Sequence, residues 1–160
     1  MTVHPIPPVY NKSSQILILG SFPSVKSREQ AFFYGHPQNR FWRVLSCVLN
    51  HPIPQTIEQK KEMLLSNKIA LWDVIASCEI SGSADSSIKN VVANDINIIL
   101  ESTDIKKIFV NGKTAKKYYD LYLLDKTKIE AVCLPSTSPA NAAYSLEKLC
   151  ISWHPIVNHN

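Results

Sequence analysis

Asn39 sits in the run His36-Pro37-Gln38-Asn39-Arg40-Phe41-Trp42 and carries a side-chain amide able to hold a water or hydrogen-bond a departing base. The same residue suits a helix start, where Asn satisfies free backbone N–H groups, and spacing alone favours that plainer reading. Leu134 to Pro139 (LPSTSP) sets the hydroxyls of Ser136, Thr137 and Ser138 between Pro135 and Pro139, which fix the backbone. That pattern fits a phosphate clamp ahead of a helix and fits an ordinary serine cap equally well. Asp73, with Glu79 and Asp85 in the turn-rich segment Ser77 to Ser87, supplies carboxylates whose spacing defines no acid–base pair. Phe22, between a strand end and Pro23, is the best placed aromatic for stacking; Phe32, Phe33, Tyr34, Phe41 and Trp42 read as core. The phosphate-loop, dinucleotide, zinc-protease and nucleophile-elbow motifs are all missing from the chain.

Short apolar runs position these groups. Ile16 to Leu19 reads as a buried strand ending at Gly20, and the loop after it carries Ser21, Phe22, Ser24, Lys26, Ser27 and Arg28. A helix is expected from about Pro37 to Leu49, and a second, with Thr56 and Gln59 as its capping box, runs to about Asn67. Further strands are expected at 69–75, 108–110 and 129–134, with helices at 95–101, 113–124 and about 140–149, the last holding Asn141 in its first turn. Strands alternating with helices predict an α/β fold: a three-layer αβα sandwich around a central, mainly parallel four-stranded sheet. Loops opening at Gly20, Asp73, Asn111 and Pro135 then converge at one sheet edge, where such folds bind ligands.

With 160 residues, 45% hydrophobic and 19% charged, the chain reads as a single domain, residues 1–15 being a Pro-rich extended lead-in. The net charge of +4 is compatible with a polyanionic partner without requiring one. Cys47, Cys78, Cys133 and Cys150 are scattered, form no CxxC, and read as small buried hydrophobes in a reducing compartment. Neither a signal peptide nor a membrane span is legible, so a cytoplasmic protein without a membrane partner is expected.

Taken together and in order, GSFPS after the first strand, GHPQNRFW, NGKTA and LPSTSPAN resemble the uracil-DNA glycosylase superfamily, over roughly residues 16 to 153. The closest resemblance is to its hypoxanthine-DNA glycosylase branch. The resemblance implies a monofunctional enzyme that flips a deaminated base out of double-stranded DNA and hydrolyses its glycosidic bond, acting as a monomer without metal or cofactor. It assigns Asn39 as the catalytic amide, bonded either to the base or to the water. Gly20, Ser21, Phe22, Asp73 and Asn111 are assigned to the base pocket, and Ser24, Pro135, Ser136, Thr137, Ser138, Asn141 and Lys113 to the DNA backbone. Two positions depart from the superfamily pattern. Phe22 stands where many members carry a water-orienting Asp or Asn, and Leu134-Pro135-Ser136-Thr137 lacks the His found in several branches. Uracil excision, damaged-DNA binding without hydrolysis, and binding of a small nucleotide are the alternatives.

Overall fold

The run from Ile16 to Leu19 is apolar throughout because it faces two cores: Ile16 and Ile18 join one buried cluster, Leu17 and Leu19 the other. The computed structural model describes residues 1–157. Its strands, in chain order, are β1 (Thr2–Val3), β2 (Ile16–Gly20), β3 (Ile69–Asp73), β4 (Ile75–Glu79), β5 (Lys89–Ala93), β6 (Lys107–Asn111) and β7 (Ala131–Leu134). The helices are α1 (Val25–Gln30), α2 (Phe41–Leu49), α3 (Ile57–Ser66), α4 (Asn97–Glu101), α5 (Lys113–Tyr122), α6 (Leu124–Thr127) and α7 (Leu146–Ser152).

The strands β3-β2-β6-β7 form the expected parallel sheet, with Gly20 beside Asp73 and Asn111 beside Leu134 at its carboxyl edge. Residues of α2, α3 and α7 pack on one face and of α4 and α5 on the other, giving the αβα sandwich. The capping box on α3 forms as expected, Thr56 Oγ1 accepting from the Gln59 backbone.

Several local expectations are corrected. A second, antiparallel sheet, β1-β4-β5, is present, so the first three residues of the segment Ser77 to Ser87 belong to strand β4 and the rest is loop. The N-terminal residues supply β1, and Val9 bridges Leu71. A short helix, α1, interrupts the loop after β2, capped by Ser24. The helix expected from Pro37 begins at Phe41, because the Arg40 N–H turns to the Thr137 carbonyl (3.1 Å). The last helix begins at Leu146 rather than near Ala140. The Arg40 guanidinium binds the carbonyls of Ser138, Asn141 and Tyr144, which holds 138–144 as irregular loop until Ser145 caps α7. Asn141 is therefore in that loop, donating to the Ser136 carbonyl, and not in a helical turn. Of the cysteines only Cys78 is buried; Cys47 and Cys133 are exposed and Cys150 is half-buried.

Candidate active site

The four strand-end loops do converge. They line a cavity of about 590 Å³ together with Tyr34, His36, Asn39 and the β4–β5 loop, a volume in the range of small-molecule sites. Gly20, Asp73, Asn111 and Ser136 to Ala140 contribute from the ends of the four sheet strands, and Ser83 to Ser86 complete the lining.

Gly20 is required by close approach. A Cβ there would lie 2.4 Å from Asp73 Oδ1 and 2.7 Å from the Tyr34 hydroxyl. Gly20→Ala is expected to lower stability by about 1–3 kcal/mol through overpacking, read as a lower urea midpoint at unchanged slope.

Asp73 is buried, and its Oδ2 lies 2.7 Å from His4 Nε2. The tautomer follows from the partners: His4 Nδ1 accepts from the Ile6 N–H (3.1 Å), so Nε2 carries the proton that Asp73 receives. Oδ1, the other carboxylate oxygen, lies over Gly20 and has no hydrogen-bond partner among the described residues. Beside it the buried Tyr34 hydroxyl, near the Asn111 amide, makes no hydrogen bond of normal geometry among the described residues. Burial, reinforced by the Asp73 charge, pushes the Tyr34 phenol far above its ordinary value, so it remains a donor. Tyr34 holds a left-handed backbone (φ 53°), uncommon for an aromatic, and its ring stacks on Phe41 at 4.0 Å.

Asn39 is fixed from one side. Its Oδ1 accepts from the Phe41 N–H (2.9 Å) and from Thr137 Oγ1 (2.9 Å). A backbone N–H can only donate, so the oxygen must face Phe41 and the amide orientation is determined. Nδ2 has no partner among the described residues and borders the cavity as a donor. Thr137 is 0% exposed, and Asn111 brackets it, donating from Nδ2 to Thr137 Oγ1 (3.0 Å) while accepting the Thr137 N–H at Oδ1 (3.1 Å). The plain reading of Asn39 is met by its oxygen, which accepts from the chain at the start of α2, while its nitrogen borders the cavity.

The remaining residues fall into three groups. Ser21 and Phe22 line the cavity, Phe22 at 9% exposure with Arg28 over its ring. Ser24 also lines it, but its hydroxyl caps α1 and donates to Ser27 Oγ. Ser136 and Ser138 accept backbone N–H groups at Oγ and keep their own protons to donate. Pro135 and Lys113 lie outside the lining, the former accepting from the Trp153 indole and the latter exposed at the start of α5. Gly112, at φ 95°, lets the Ser136 side chain pack against the end of β6. Sequence reasoning missed His4 and the ordering role of Arg40. His4 lies 69 residues from Asp73, and no spacing signal could have joined them.

A side-chain amide donor and buried and exposed carboxylates are thus gathered at the carboxyl edge of an αβα parallel sheet. The family profile described as "Uracil DNA glycosylase superfamily" matches residues 7–153, and the chain belongs to that superfamily. In chemical class it is a DNA glycosylase, with DNA as substrate. Two relatives are named hypoxanthine DNA glycosylase. One, from Methanosarcina barkeri, is 35% identical over 137 residues, 84% of this chain and 85% of its own length. The other, from Methanosarcina acetivorans, is 34% identical over 155 residues, 96% of each. A solution NMR structure of a candidate uracil DNA glycosylase from Methanosarcina acetivorans superposes with a TM-score of 0.82 at 33% identity, covering 96% of this chain and 95% of that one.

Proposed function

We propose that this protein removes hypoxanthine from deoxyinosine in duplex DNA, flipping the nucleotide into the cavity and hydrolysing its glycosidic bond without a covalent enzyme intermediate. The observation that carries a base with a lactam edge is the fixed polarity of the cavity: Asn39 offers only its donor, and Asp73 Oδ1 offers only an acceptor. A lactam base such as hypoxanthine presents N–H beside C=O on its Watson–Crick edge, which an acceptor beside the Tyr34 donor would read. Adenine presents a lone pair at the same nitrogen and would face the Asp73 carboxylate with nothing to donate from that atom. Among bases with that edge, the names of the two relatives favour hypoxanthine.

In this reading Phe22 stacks on the flipped purine. The Asn39 Nδ2 donates to the purine as it takes up the electron pair of the breaking bond. A positioned donor is most effective where charge develops. Ser136, Ser138 and exposed Lys113 are the groups left to meet flanking phosphates, while Thr137 and Asn111 act by holding Asn39. Thr137→Val removes the donor to Asn39 and the acceptor of Asn111. It is expected to reduce the excision rate about tenfold or more, since misplacing a reacting group costs rate steeply. Thr137→Ser should restore it. An equal loss in both variants would contradict that role for the hydroxyl.

The reading is tested with matched duplexes holding one deoxyinosine, deoxyuridine or deoxyxanthosine, followed by alkaline strand scission. Preferred cleavage at deoxyinosine is expected. Preferred cleavage at deoxyuridine, whose base has the same N–H/C=O edge, would keep the chemistry and move the specificity.

A further inference from the structure

We propose that Asp85, on the β4–β5 loop, is the general base that activates the hydrolytic water. This rests on the glycosylase reading above and adds the group that reading lacks. Asn39 is neutral, its oxygen is engaged, and an amide cannot take a proton from water at neutral pH. Phe22 occupies the position after Ser21 and has no polar atom to offer.

The fold places a carboxylate there from a different element. Asp85 lines the cavity, and its Oδ1 receives the Ser21 hydroxyl at 3.4 Å. The loop that carries it is tied down from the β2 side. Ser83 Oγ accepts the Val25 N–H (2.9 Å), and Gly82 accepts Arg28 Nη2 (2.7 Å). Asn39 is tied to the loop after β7, and β6 lies between β7 and β2. Asn39 and Asp85 therefore line one cavity from opposite sides of β6, the amide held from the β7 side and the carboxylate from the β2 side. Displacement at a sugar carbon needs such a split, with one group on the departing base and the other across the carbon with room for a water.

The step balances within these groups. The water oxygen bonds to C1′ as the bond from C1′ to the base breaks, and that electron pair leaves with the base, stabilised by Asn39. Asp85 takes the proton released from the water; the base leaves as an anion held by the Asn39 donor and takes a proton from solvent, to which Asp85 returns its own. Asp85 is an exposed residue that lines the cavity, yet partial burial of its carboxylate, more than the nearby Asp73 charge, raises its pKa. The hydroxyls of Ser21 and Thr114 pull the other way. The other titratable or charged groups whose fields reach this loop are Tyr34, Cys78 and Arg28, the last bonded to Gly82. A raised carboxylate is a stronger base, and the rate it supports is lost as pH falls through its pKa.

Asp85→Asn keeps an oxygen for Ser21 and removes only the basicity. Single-turnover excision from the best of the three lesion duplexes is expected to fall about 10²–10⁴-fold, with lesion-duplex affinity within about threefold of wild type. The acidic limb of the wild-type rate profile should disappear from the residual rate. Wild-type excision by Asp85→Asn would overturn the proposal and leave the glycosylase reading standing, since a carboxylate that merely anchors the loop is replaced by this amide. A loss of affinity matching the loss of rate would also overturn it. Absence of base release by the wild-type protein from every duplex would overturn both.

Discussion

Asn39→Asp is expected to slow base excision about 10²–10³-fold, the cost of losing one donor from a site of developing negative charge. The substitution is nearly isosteric, and one carboxylate oxygen can still accept from Phe41 N–H and Thr137 Oγ1, so the fold and the capping contact persist. What changes is the atom facing the cavity, from an N–H donor to an oxygen carrying charge. A residue that positioned water by accepting from it would tolerate that exchange, and a residue that donates to a departing purine would not. Asn39→Ala should lose excision as well while keeping most of the affinity for a lesion-bearing duplex. Single-turnover rates and equilibrium binding on the same duplex separate the two roles; full activity in Asn39→Asp would assign Asn39 to the water.

Asp73→Asn carries the second large effect, on specificity. The Nε2 proton of His4 requires an acceptor, because Nδ1 is already held by the Ile6 N–H. An amide at position 73 therefore turns its oxygen to His4 and its NH₂ to the cavity, replacing an acceptor with a donor at one atom. On the proposed reading that donor meets the N–H of hypoxanthine head-on. Excision of hypoxanthine is expected to fall by about 10³-fold or more, as in other sites built to hydrogen-bond one edge of a substrate. Adenine, with a lone pair there, becomes the better fit to that one contact. Competition between deoxyinosine and deoxyadenosine duplexes measures the shift, and an unchanged ratio would remove Asp73 from base reading. Asp73→Ala is a poorer probe, since it leaves the His4 N–H buried without a partner.

The parallel sheet and the location of the site were legible because β2, β3, β6 and β7 are short, largely buried runs that stop at Gly20, Asp73, Asn111 and Leu134. Burial on both faces leaves a sequence signal that local context does not blur. The antiparallel sheet left no such signal. β1 is two residues long, and β5 (KNVVA) is mostly exposed or half-buried and reads as surface. The start of the last helix was misplaced because local propensity could not register the Arg40 guanidinium, some hundred residues away, gathering the carbonyls of Ser138, Asn141 and Tyr144. At the site, the residue types were readable and their polarities were not. Asn39 could be picked from its motif, but only its contacts with Phe41 and Thr137 decide which end of the amide meets a ligand. Thr137, expected at a phosphate, is enclosed between Asn39 and Asn111 and orders the amide instead.

The most direct measurement is the quantity of free base released in a single turnover on a deoxyinosine duplex, with borohydride added in parallel to trap any covalent adduct. One equivalent of free hypoxanthine per abasic site, with no trapped protein–DNA species, is the result expected of a monofunctional glycosylase. Tight lesion binding without free base, or a borohydride-trapped adduct, would contradict it.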